Sequence, residues 1–103
     1  MALQINTHIS EGTARIVLNG RFDFNSQRLF RSSYDTPLGD ASIHTLEIDL
    51  GDVEYLDSSA LGMLLLLKER AAAAKKELVL ANCRGTVMQV LEVANFNRLF
   101  TMK

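Results

Sequence analysis

Residues 44–50 read His-Thr-Leu-Glu-Ile-Asp-Leu, so Leu46, Ile48 and Leu50 face one way while Glu47 and Asp49 face the other. A strict period of two is the mark of a strand with one buried face. Soon afterwards the stretch from Ser59 or Ala60 through Lys76 is dense in Leu and Ala, which favour helix, and is long enough for about four to five turns. Residues 77–82, Glu-Leu-Val-Leu-Ala-Asn, then form a short buried strand. A strand, a long helix and a second strand in so short a span close as a right-handed parallel crossover. That unit excludes all-helical and all-β folds and requires a sheet at the centre.

The rest of the chain fits around it. Leu3 and Ile5 alternate with Gln4 and Asn6, and beyond the turn-like Glu11-Gly12-Thr13 the residues Ala14, Ile16 and Leu18 alternate with Arg15 and Asn19. These predict a hairpin whose second strand ends at Gly20. Asn25 or Ser26 is expected to cap a short helix presenting Leu29, Phe30 and Ser33 or Tyr34 on one side. Residues 35–40, Asp-Thr-Pro-Leu-Gly-Asp, hold the sole proline and read as a loop. Val87, Val90, Leu91 and Ala94 recur at the spacing of a last amphipathic helix. The expected fold is a single α/β domain over residues 1–103, with a mixed four- to five-stranded sheet packed with three to four helices.

Composition narrows the function. In 103 residues, 11 Lys and Arg stand against 12 Asp and Glu, and the basic residues are scattered. That excludes a nucleic-acid binder built on phosphate contacts, and a polybasic membrane anchor. The longest apolar run, Met63 to Leu67, is too short to insert in a bilayer. The N-terminal residues do not read as a signal peptide, and a single cysteine, Cys83, permits no internal disulfide, so a reducing cytoplasm is expected. His8 and His44 read as surface or edge histidines, Cys83 as a small half-buried residue, and Glu47 with Asp49 as a solvated or salt-bridged pair. With no phosphate loop, catalytic triad or metal-ligand cluster, the chain is expected to need no metal or cofactor and not to be an enzyme.

Asp57, Ser58 and Ser59 stand at the entrance of the long helix. One of them suffices as a cap, since a side-chain oxygen there accepts from a first-turn amide for about 1 kcal/mol. Neither Leu61 nor Gly62 can return the bond of a capping box. A phosphate also suits this place, facing free amides and the positive end of the helix dipole. Along the helix, Ala60, Met63, Leu64, Leu67, Ala71 and Ala74 share the side assigned to the core. Leu61, Leu65 and Leu66 lie off that side: another helix buries them in a three-layer fold, or they form an apolar strip for a partner.

Three stretches resemble the STAS domain of bacterial anti-sigma-factor antagonists. They are residues 17–27, with a strand running into Gly-Arg-Phe-Asp; residues 46–64, with a strand, Asp-Ser-Ser and a helix; and the apolar closing stretch from Leu78 to Met102. The resemblance implies partner switching. The unmodified protein would bind a serine kinase of the histidine-kinase-like ATPase type that doubles as anti-sigma factor. Phosphorylation would break that complex, and a serine phosphatase would restore it. Carried over by position, the phosphoacceptor is Ser59, ahead of Ser58, with Asp23, Asp57, Ser58 and Ala60 as its neighbourhood and Leu61, Gly62, Leu65 and Leu66 as the partner face. The family usually has Gly where this chain has Ala60. The alternative is a STAS-like accessory subunit that binds the ATPase of an ABC-type membrane transporter without phosphorylation. A weak homodimer through the Leu-rich helix is a further expectation.

Overall fold

The computed structural model describes residues 2–103. Strands β1 (Gln4–Ser10), β2 (Thr13–Phe22), β3 (Thr45–Leu56), β4 (Glu77–Ala81) and β5 (Thr101–Met102) form one sheet in sequence order. Only β1 runs antiparallel to its neighbour; β2, β3, β4 and β5 are mutually parallel. Helices α1 (Gln27–Gly39), α2 (Ser58–Ala73), α3 (Gly85–Val93) and α4 (Phe96–Leu99) complete the fold.

All four helices cover the same sheet face. Ala14, Ile16, Leu18 and Phe22 of β2, Leu46, Ile48 and Leu50 of β3, and Leu78 and Leu80 of β4 join one buried cluster with Phe30, Tyr34, Leu64, Leu67, Leu91 and Phe96. The opposite face carries Arg15, Glu47 and Asp49 and has no helix over it. Two layers rather than three decide a question the sequence left open: among the described residues no further helix packs over the outer side of α2.

Several boundaries differ from the sequence reading. Gly20 does not end β2; it sits at φ +107° beside a register shift, and the strand continues to Phe22. Glycine supplies that backbone conformation without strain, so the irregularity bends the strand without stopping it. Strand β3 likewise runs past Leu50 to Leu56. Residues 35–39 are helical rather than looped, because Pro37 lies in the last turn of α1, where only one bond is lost, and its ring is buried. Leu29 is exposed while Phe30, Tyr34 and Pro37 face the core. Ala74 lies past the end of α2 as its exposed C-cap, outside the core face assigned to it. Helix α4 and strand β5, at four and two residues, are too short to leave a period in sequence.

Candidate functional site

The C-terminal ends of β2 and β3 lead into a 3₁₀ turn (Phe24–Ser26) and into α2. Asp23 caps the turn: its Oδ1 accepts from the Asn25 amide at 3.0 Å, and its own amide donates to Ser26 Oγ at 3.2 Å. Asp23 thus serves as the capping carboxylate of the turn, its extended backbone aiming the side chain, while Ser26 stands at the N-cap position of α1, as expected, but makes no side-chain capping bond there. Arg21 Nε lies 3.7 Å from Asp23 Oδ2, and its guanidinium stacks over Tyr55 at 4.2 Å from the ring centroid.

Asp57 does two jobs. Its Oδ1 accepts from the Ala60 amide at 2.9 Å, capping α2, and its Oδ2 accepts from the Phe24 amide at 3.2 Å. One carboxylate thereby ties the turn that follows Asp23 to the start of the helix that carries Ser58 and Ser59. The Asp57 amide also donates to the Phe22 carbonyl at 3.4 Å. Asp23 and the serines are thus held on linked segments.

Ser58 and Ser59 occupy the first two positions of α2, the former exposed and the latter half-buried. Among the described residues neither hydroxyl makes a hydrogen bond. Since Asp57 is the cap, the two serines are free of that duty. Ala60 is fully buried, so its methyl points into the core and not at an incoming protein. Gly62 is exposed, with open space where a Cβ would stand.

Along the helix, Leu65 and Leu66 are 38% and 42% exposed. Leu61 is half-buried and turns toward α3, lining an apolar groove of about 300 Å³ with Val90, Val93 and Ala94. Leu66 turns the other way, over a groove of about 220 Å³ shared with Phe30, Arg31 and Tyr34 of α1. The three leucines therefore spread across the outer side of α2. Sequence reasoning missed Phe24, 64% exposed, and Tyr55 at the same end of the molecule. No sequence signal marks them, because Phe24 follows a buried Phe22 and looks like core.

A second polar region lies on the open sheet face. Arg15 Nε pairs with Glu47 Oε2 at 3.2 Å, Lys103 Nζ with Glu47 Oε1 at 2.8 Å, and the Arg15 guanidinium also pairs with Asp49. Asp49, almost fully buried, accepts from the Gly51 amide at 2.9 Å and from Asn82 Nδ2 at 2.8 Å. Burial alone would raise its carboxyl, but those two bonds and Arg15 outweigh it and hold the pKa below the usual carboxylate range. Glu47 and Asp49 are salt-bridged, and His8 and His44 are exposed. Cys83 is half-buried, and burial, with the Asp49 charge behind it, pushes its thiol up to about 11, which suppresses the reactive thiolate. Among the described residues no group of three His, Cys, Asp or Glu is placed to hold a metal ion, and no helix is long and apolar enough to cross a membrane.

A mixed five-stranded sheet with every helix on one face, and an Asp-Ser-Ser helix start beside a capped turn, define a STAS fold. The family described as "Mlab, STAS domain" matches residues 5–101, and the chain belongs to it. A STAS-domain containing protein of Pseudomonas aeruginosa is 42% identical over 89 residues, covering 82% of each chain. Among solved structures, an anti-sigma factor antagonist from Mycobacterium paratuberculosis has a TM-score of 0.86 at 18% identity, covering 98% of this chain and 85% of that one. The phosphorylated form of the Bacillus cell fate determinant SpoIIAA has a TM-score of 0.72 at 20% identity, covering 99% and 91%. A sulfate transporter family protein from Wolinella succinogenes has a TM-score of 0.76 at 15% identity, covering 89% and 74%. At these identities the solved structures show the shared fold.

Proposed function

We propose that the chain is an anti-sigma-factor antagonist that works by partner switching in the cytoplasm. Unmodified, it binds a serine kinase and anti-sigma factor of the histidine-kinase-like ATPase type, and it catalyses nothing itself. Phosphorylation of the Ser59 hydroxyl releases it, and a serine phosphatase resets it. The observation that carries this reading is the division of labour at the helix start: Asp57 caps α2, and among the described residues both serine hydroxyls are left without partners. A phosphate on Ser59 would meet the positive end of a 16-residue helix, so the fold tolerates it. The added charge would stand at the end of the apolar strip of Leu65 and Leu66, where a partner's apolar or acidic surface would reject it. Leu61 and Gly62 complete that contact face, and Asp23 shapes the approach to the hydroxyl.

The test is capture from cell extract on Ser59→Ala and Ser59→Asp baits. An ATPase of the kinase type held by the first bait and lost from the second supports the switch; equal recovery on both overturns it. A second reading, an accessory subunit that binds the ATPase of an ABC-type transporter without phosphorylation, draws support from the half-buried setting of Ser59. It predicts a nucleotide-binding transporter subunit on both baits alike.

A further inference from the structure

Strand β1 is one edge of the sheet, and its sequence, Gln-Ile-Asn-Thr-His-Ile-Ser, is symmetric in character about Thr7. Isoleucines stand two residues to either side, hydrogen-bonding side chains fill the positions between and beyond, and none of the seven carries a fixed charge. Natural edge strands are normally blunted by lysine, proline, a bulge or short length. This one has none of those devices. Its pairing with β2 is unbroken from Gln4 to Ser10, and Ile9 is 59% exposed.

The backbone groups available at this edge follow from the hairpin. Glu11 and Gly12 both have positive φ, at 49° and 79°, and form a two-residue turn with Ser10 opposite Thr13. That closing pair is hydrogen-bonded, so in an antiparallel ladder the bonded pairs alternate and include His8 with Arg15, Asn6 with Val17 and Gln4 with Asn19. The amides and carbonyls of Ile5, Thr7 and Ile9 therefore point outward, away from β2.

We propose that this edge pairs antiparallel with β1 of a second copy of the chain about a two-fold axis through Thr7. The register is selected twice over. Outward groups must face outward groups, which allows only alignments that set odd-numbered residues opposite odd-numbered ones. Of these, the one centred on Thr7 uses the whole strand and sets Ile5 opposite Ile9 of the second copy at both ends. Ile5 and Ile9 lie opposite Leu18 and Ala14 of β2, on the helix-covered side of the sheet, so the pairing extends the apolar face and covers the exposed Ile9. Asn6 meets His8 of the second copy on the open face, with no like charges opposed. The product is a continuous ten-stranded sheet that uses only β1 and leaves α2 free. A single strand edge is a small contact, so the dimer is a weak one.

Sedimentation across a wide range of concentration tests this. The full chain should pass from monomer to dimer. Ile9→Lys, at an exposed position that spares the fold, should raise the dissociation constant at least about tenfold by opposing a charge to Ile5 at both ends. Circular dichroism checks that the variant is folded. In a Cys83→Ser background, Thr7→Cys should cross-link to a dimer under mild oxidation, because the axis brings the two thiols within disulfide reach. Asn6→Cys, displaced from the axis, should not. A chain that stays monomeric throughout, a dimer indifferent to Ile9→Lys, or cross-linking at position 6 as strong as at position 7 overturns the proposal.

Discussion

The molecule has two polar regions on β3, one on the open face of the strand and one just past its C-terminal end, and they are built on opposite rules. On the open face, Asp49 accepts from Gly51, Asn82 and Arg15, while Glu47 is shared by Arg15 and Lys103. At the head of α2, Asp57 and Asp23 satisfy the backbone and leave Ser58 and Ser59 unbonded, among exposed Phe24, Tyr55, Leu65 and Leu66. Side chains whose bonding capacity is already used hold the fold together. Hydroxyls kept free beside apolar surface are available to other molecules.

Substitutions should separate the two regions, and the largest effect is on binding. Ser59→Asp should weaken the proposed kinase complex by on the order of 100-fold while moving stability by no more than about 0.5 kcal/mol, read by calorimetric titration and thermal melting. Asp57→Ala should reverse that pattern for stability. It removes a helix cap and the link to Phe24 together, at a cost of about 2 kcal/mol in denaturant unfolding. If it costs nothing, the serines do serve as caps and the contrast drawn above fails.

Leu66→Ser should reduce partner affinity about tenfold with little effect on unfolding, as suits a side chain already in contact with water. Asp49→Asn should cost about 1 kcal/mol at neutral pH and leave partner binding intact. It also carries a pH signature. Because the folded carboxyl titrates below its unfolded value of about 3.9, Asp49 stabilises above that value and its contribution is lost as pH falls through the lowered folded one. The variant should therefore show a flatter acid limb in an unfolding series. Ser58→Ala is the smallest change, within about 0.5 kcal/mol, since its hydroxyl bonds nothing.

Much of the frame was legible because alternation and helical periodicity are strong in the segment from β3 to β4. Leu46, Ile48 and Leu50 point inward as their spacing requires, and Ala60, Met63, Leu64, Leu67 and Ala71 form the buried side of α2. The misreadings fall where tertiary structure overrides local signals. Gly20 reads as a terminus, yet its positive φ serves an irregularity inside a longer strand. Pro37 reads as a loop, yet burial of its ring carries α1 through one more turn. Exposure of Leu65 and Leu66 depends on whether a further helix packs over α2, which is a matter of layer count and not of spacing. The choice of Asp57 over the serines as cap was open in sequence and is decided by the extended backbone at residue 57.

The most direct test of the central claim is to incubate the ATPase captured on the Ser59→Ala bait with the wild-type chain and ATP, then map the product by tandem mass spectrometry. A single phosphate on Ser59, absent from the Ser59→Ala chain and accompanied by release of the ATPase, is the predicted result. An unmodified chain in the presence of an ATPase that is turning over ATP, or a phosphate on another residue, would contradict the account.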